Sequence, residues 1–307
     1  DIAAKVLSVK PGKITAMSVY ADPKSSMTIN FGREDMVYVN PYTAQILGKE
    51  SEIHKFMHAV EDWHRWFGQK EIGKPVTGVC VIAFFFMVLS GIYLWWPKSW
   101  DLSGIRNILF FNPRASGKAR DWNWHNVIGF WCAWILLITT ITGTIMAHTW
   151  ATNLLYRATG NPPPPPAQGA QGGPAMDKKK KDGEESKSEL PFATFDAFYT
   201  AAQHQMPEWY SMNIRLPQKA GGPVNVNILQ PEPKNFKPRS QLTLDAQTAA
   251  VTKWEPFAEL NMGRKLRSWI KPLHTGRIAG WFGQTIMMIG ALGAIMLVWT
   301  GFAMAWQ

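Results

Sequence analysis

The sequence predicts an integral membrane α-helical bundle carrying two small α+β modules outside the bilayer. Three observations predict it. Residues 75–96, 127–147 and 278–306 contain no Asp, Glu, Lys or Arg. Each run is long enough to cross a hydrocarbon core of ~30 Å at ~1.5 Å per residue. A helix followed by short alternating strands occurs twice in the polar sequence between the runs. One phrase also recurs: a histidine just outside an apolar run, with Ser-Gly or Thr-Gly near the run's far end. It reads His64 with Ser90-Gly91, His125 with Thr142-Gly143, and His274 with Thr300-Gly301.

The first module is expected over 1–50. Asp1 to Lys10 has helical character and ends at Pro11-Gly12. Alternating segments follow at Ile14–Tyr20, Ser26–Phe31 and Met36–Leu47, the last folded into a hairpin by Asn40-Pro41-Tyr42-Thr43. Residues 51–96 read as an amphipathic helix, Ser51 to Gly68, leading into the first transmembrane helix. The 97–121 loop carries Lys98, Arg106, Arg114, Lys118 and Arg120 against Asp101 and Asp121. Short Lys/Arg-rich loops stay in the cytoplasm, so the modules belong on the other face. The positive charge thus has a local explanation at the membrane edge, which removes the case for nucleic acid as a partner.

A second transmembrane helix spans 122–150. Residues 151–190 read as a flexible linker, with five consecutive prolines and Lys178–Lys181 beside Glu184-Glu185. The second module, 191–260, has a helix over Phe192–His204 and strands at Tyr210–Leu216, Pro223–Leu229 and Ser240–Trp254. Its hairpin, Asp245-Ala-Gln-Thr-Ala-Ala-Val251, echoes Asn40-Pro-Tyr-Thr-Ala-Gln-Ile46. The two modules therefore read as an internal repeat. The last transmembrane helix lies within 261–307. Because the second unit runs span, module, span, the pattern predicts a fourth span before residue 1, a cleaved signal peptide being the alternative. Ten of the sixteen Trp, among them Trp63, Trp66, Trp95, Trp96, Trp150 and Trp306, cluster at the span ends, where an indole suits the headgroup layer. Cys80 and Cys132 both fall inside spans and form no framework for the polar modules.

The histidines carry the chemistry. Haem iron is commonly held by imidazoles from facing helices, and the macrocycle needs small residues beside it. His125, Gly129 and Gly143 lie near one stripe of their helix. His148 is 23 residues after His125, or ~34 Å along the axis, so the two serve opposite membrane faces. The expected partition is an outer haem drawn from His64, His148 and His274, and an inner haem with His125. His54 and His58 read as ordinary polar histidines, a zinc or copper site at His54, His58 and His64 being the competing reading. Met287, Met288 and Met296 lie mid-span and read as packing or lipid-facing. No GxGxxG after a strand, P-loop, GxSxG or HExxH is present.

The segments Val37-Tyr-Val-Asn-Pro-Tyr-Thr-Ala-Gln-Ile-Leu-Gly48, Trp63-His-Arg-Trp-Phe-Gly68 and Ser90-Gly91-Ile-Tyr-Leu-Trp-Trp-Pro97 resemble the PepSY-associated transmembrane family. Within it the chain looks like inner-membrane ferric-siderophore reductases of the FoxB type. That resemblance implies two b-type haems, periplasmic PepSY-like modules and haem roles at His64, His125 and His274. His148 joins them by the depth argument. The implied partners are membrane lipid, a ferric siderophore and an electron donor, either a quinol or a cytoplasmic reductase. A non-redox periplasmic ligand-binding or sensing protein, and a haem subunit delivering electrons to a protein partner, are the rival expectations.

Overall fold

The computed structural model describes residues 2–32, 35–95, 106, 108–163, 193–217, 221–231 and 238–306. Most of the expected linker, 164–190, and the start of the basic loop, 97–105, lie outside the described residues.

Residues 2–61 and 193–261 make one compact unit, and 62–163 with 262–306 make another. The first unit opens with α1 (Ile2–Val9) and four strands, β1 (Ala16–Tyr20), β2 (Met27–Asn30), β3 (Met36–Val39) and β4 (Ile46–Lys49). Its later part repeats that order with α6 (Phe195–Gln205), β5 (Ser211–Arg215), β6 (Val224–Leu229), β7 (Arg239–Leu244) and β8 (Val251–Glu255). In β3 and β7 buried residues alternate with more exposed ones, the period of two that a half-buried sheet requires. Val6 packs with Met17, Ile29, Val37 and Val39. Phe198 and Ala202 pack with Met212, Ile214, Val226, Ile228, Leu242 and Leu244.

The expected two modules are one sheet. Its order is β4-β3-β2-β1-β5-β6-β7-β8, every neighbour antiparallel, and the seam is β1 against β5 with Met17 opposite Ile214. Two four-stranded sheets would each leave an edge of unpaired N–H and C=O groups at this seam, and pairing β1 with β5 removes both edges. The two hairpins match atom for atom. Asn40 Oδ1 accepts from the backbone N–H of Tyr42 and Thr43, and Asp245 Oδ1 from those of Gln247 and Thr248. Ala44 and Ala249 take the same left-handed conformation, with φ of 58° and 56°.

The second unit is helical. Its long helices are α3 (Lys70–Trp95), α4 (Gly117–Ala147) and α8 (Gly280–Trp306), with the short α5 (Thr149–Ala158) and α7 (Met262–His274) between them. The helix α2 (Glu52–Trp66) precedes α3 and exposes an apolar stripe of Ile53, Phe56, Met57, Val60 and Trp63. Among the described residues, three helices are long and apolar enough to cross a membrane. Their flanks expose Phe86, Trp134, Leu292 and Phe302, as lipid-facing surfaces do. Helix α4 is central and packs on both α3 and α8. Along α8 the buried positions are Gly283, Gly290, Gly293 and Thr300. A Cβ on Gly293 would collide with Cys132 Sγ, and one on Gly290 with Ile135, so this small stripe sets how closely α8 approaches α4.

Two boundaries differ from the sequence expectation. The linker begins later than residue 151, because Ala151 and Tyr156 are buried and Tyr156 seats on Gly263. The expected segment 261–307 holds two helices, of which only the second is apolar enough to cross a membrane. Gly276 and Gly280 adopt φ of 72° and 61°, and Gly276 sits against the backbone of Gly283 where no side chain fits. This break frees the basic helix α7 (Arg264, Lys265, Arg267 and Lys271) from the direction of α8.

Candidate functional site

The histidines of the helical unit fall at two levels of α4. At the level near its N-terminus, His125 Nδ1 lies 2.9 Å from Thr300 Oγ1 of α8. Thr300 Oγ1 donates its own hydrogen to the Met296 carbonyl at 2.9 Å, so its lone pair accepts from His125 Nδ1–H. At the other level, His274 Nδ1 lies 2.9 Å from Thr142 Oγ1, which donates to the Ile138 carbonyl at 2.6 Å. The same accounting places a proton on His274 Nδ1. In that tautomer Nε2 is the nitrogen that carries the lone pair for a metal, and the carbonyls of Leu297 and Thr139 are further acceptors for the rings of His125 and His274.

The glycine after each threonine leaves space beside the ring. A Cβ on Gly301 would lie 3.8 Å from His125 Cε1, and one on Gly143 would lie 3.5 Å from His274 Cε1. The recurring Thr-Gly is thus a receptor for a histidine on another helix. Sequence spacing had set His125 and Gly143 on one stripe of one helix. Packing crosses the partners instead: His125 meets Thr300-Gly301, and His274 meets Thr142-Gly143. Position 125 and position 142 are 17 residues apart, or ~26 Å along α4, close to the thickness of a hydrocarbon core.

The His64 and His274 rings stand 6.3 Å apart between centroids, with an interplanar angle of 45°. Two imidazoles on opposite sides of one metal ion, with bonds of ~2.0 Å, would have centroids about 6 Å apart. Burial, then the neighbouring His64, holds His274 below the ordinary histidine range. His148 is placed differently. It caps the end of α4, its Nε2 lies 3.0 Å from the Gly78 carbonyl, and its ring rests on Gly78. A carbonyl only accepts, so His148 donates from Nε2 in this geometry. The Ser90-Gly91 pair receives no imidazole among the described residues: Ser90 Oγ donates to the Met87 carbonyl, and Gly91 faces open space.

Sequence reasoning missed Thr142 and Thr300 as imidazole partners, although the Thr-Gly phrase was the signal. In the sheet unit, His54 and His58 converge on Glu50, a residue that spacing alone did not single out. The sheet unit also holds a cavity of about 310 Å³ at the seam of its two halves, lined by Met17, Tyr20, Asp22, Tyr42, Tyr199 and Trp209 among others. That size and aromatic lining suit a small ligand.

A family model described as PepSY-associated TM region matches residues 2–307. No curated protein gives a significant match.

Proposed function

The chain belongs to the family of PepSY-associated TM regions, and from that premise we propose that this membrane protein is a dihaem reductase of the bacterial inner membrane. It passes electrons outward to a ferric siderophore in the periplasm and so releases iron for uptake. The observation that carries this reading is the pair of threonine-oriented imidazoles, His125 and His274, at two levels of α4.

The residues fit the cofactor. His64 and His274 would hold the outer b-type haem, with His148 as a third imidazole at that face that ligates only on releasing Gly78. His125 would hold the inner one. When bound, haem iron takes up and gives out single electrons, the chemistry that a ferric substrate needs. Thr142 and Thr300 fix the tautomer and aim Nε2. Gly143 and Gly301 leave room beside each ring, and the apolar walls of α3, α4 and α8 keep water from the ligating nitrogens. The basic residues Arg114, Lys118 and Arg120 favour a cytoplasmic inner level under the positive-inside rule, where a quinol or a cytoplasmic reductase would deliver electrons. The cavity at the sheet seam is the proposed docking place for the chelate. Hard oxygen ligands hold the higher iron charge more tightly, so one added electron weakens the complex. The matching helix-strand order and hairpins of the two sheet halves support an internal repeat of PepSY-like modules.

The test is haem quantified per chain by the pyridine hemochromogen method, with a reduced-minus-oxidised spectrum. Two haems per chain, and ferric-siderophore reduction by the reduced protein, are expected. Absence of a Soret band and of haem would sink the proposal. The seam cavity favours a second reading, a non-redox periplasmic binding or sensing protein. On that reading His125→Ala and His274→Ala would leave activity intact. A haem subunit serving a protein acceptor would keep the spectrum and fail only the siderophore assay.

A further inference from the structure

We propose that Glu50, His54 and His58 form a divalent transition-metal site in the sheet unit, with three protein ligands and a fourth position open to water, suited to zinc(II) or copper(II). The site does not use any histidine assigned above to haem.

Glu50 follows β4, and its backbone N–H donates to the Met36 carbonyl at 3.2 Å, which fixes where its side chain starts. Its carboxylate is only 5% exposed. His54 and His58 are four residues apart on α2, so both rings project from one face, with centroids 4.7 Å apart. Glu50 Oε1 lies 2.9 Å from His54 Nδ1 and 3.5 Å from His58 Nε2. All three ligand atoms lie within 4.8 Å of one another. In a tetrahedral site with bonds of ~2.0–2.1 Å the ligand atoms are about 3.3 Å apart. Two of the separations already bracket that value, and a small rotation of the exposed His54 ring closes the third.

The donor set decides the metal. Two imidazoles and one carboxylate match zinc sites that keep an open position, and copper(II) binds the same nitrogens more tightly. Magnesium and calcium prefer oxygen ligands and are disfavoured. With His58 ligating through Nε2, its Nδ1 is 3.9 Å from Glu61 Oε2, beyond hydrogen-bond reach, so Glu61 contributes a nearby negative charge that favours a bound cation. A metal here would fasten the first turns of α2 to the end of β4, at the edge of the sheet. A metal-free triad, in which the imidazoles only hydrogen-bond the buried carboxylate, is the competing account.

The experiment uses the full, untagged, haem-loaded chain in detergent, stripped with EDTA and dialysed against zinc chloride. Metal is counted by elemental analysis and haem by absorbance, so failure of the haem reading and failure of this one are read separately. One zinc per chain and a raised thermal midpoint are expected. His54→Gln, at an exposed position, and His58→Gln, at a half-buried one, should each weaken zinc binding at least ~10-fold without changing haem content. Copper(II) in place of zinc should give an EPR spectrum coupled to two nitrogens in the parent and to one in either variant. Zinc retention below one equivalent, binding that is unchanged in both variants, or copper without nitrogen coupling would each overturn the site.

Discussion

Replacing Thr142 with Val tests the central geometry most directly. Valine keeps the branched shape but removes the oxygen that accepts from His274 Nδ1–H at 2.9 Å. Thr142 is 2% exposed, so water does not readily take its place. With only the Thr139 carbonyl left as an acceptor for His274, the loss of this one costs at most about 1–3 kcal/mol. At ~1.4 kcal/mol per factor of ten, that is roughly a 5- to 150-fold loss if the cost falls on the ligating state. Removing outer partners of metal-bound histidines costs ~10–100-fold, which lies inside that range. Thr142→Val should therefore weaken haem binding at the His64–His274 level by about 10- to 100-fold and move one midpoint of a potentiometric titration. Thr300→Val should move the other midpoint, because its partner is His125. Haem retention is read by transfer to excess apomyoglobin, and the midpoints by spectroelectrochemistry. The reasoning is refuted if Thr142→Val keeps parental retention and both midpoints, or if the two variants perturb the same component.

Other outcomes follow from the packing and the turns. Gly293→Ala puts a methyl into Cys132 Sγ at the α4–α8 crossing and should destabilise the helical unit by about 1–3 kcal/mol in detergent unfolding, with Cys132→Ala restoring part of the loss. Ala44→Gly and Ala249→Gly relieve left-handed alanines at equivalent turn positions, so each should raise stability, by up to about 1 kcal/mol after the entropy cost of glycine, as read by denaturant midpoints. A cysteine at Lys118 should react with an impermeant maleimide only when the cytoplasmic face is opened. Labelling of intact cells would reverse the assigned orientation.

Much of the fold was legible because its signals are local. The absence of charge over 75–96, 127–147 and 278–306 depends on no distant residue, and helices occupy all three stretches. The strands were found by their period of two, and the hairpins by Asn40 and Asp245, whose side chains bond their own following backbone. The boundaries slipped where a distant contact intervened. Tyr156 extends the helical structure past 151 by seating on Gly263, more than a hundred residues away. The close approach of Gly276 to the backbone of Gly283 divides 261–307 just before the uncharged run that begins at residue 278, so charge located the break but not the glycine contact that makes it.

The candidate site divides the same way. The sequence by itself determined which residues are available: histidines at span edges, a Ser-Gly or Thr-Gly pair towards the far end of each span, and a Glu four residues before the His-x-x-x-His pair at 54 and 58. Only the tertiary structure decided the partners. It joined β1 to β5 and made one sheet of two modules, brought Thr300 to His125 and Thr142 to His274, and set the His64 ring beside His274. Hydropathy and periodicity report which face of a segment is buried. They do not report which other segment covers it, and that choice was made by the glycine stripe of α8 meeting Cys132 and Ile135 of α4.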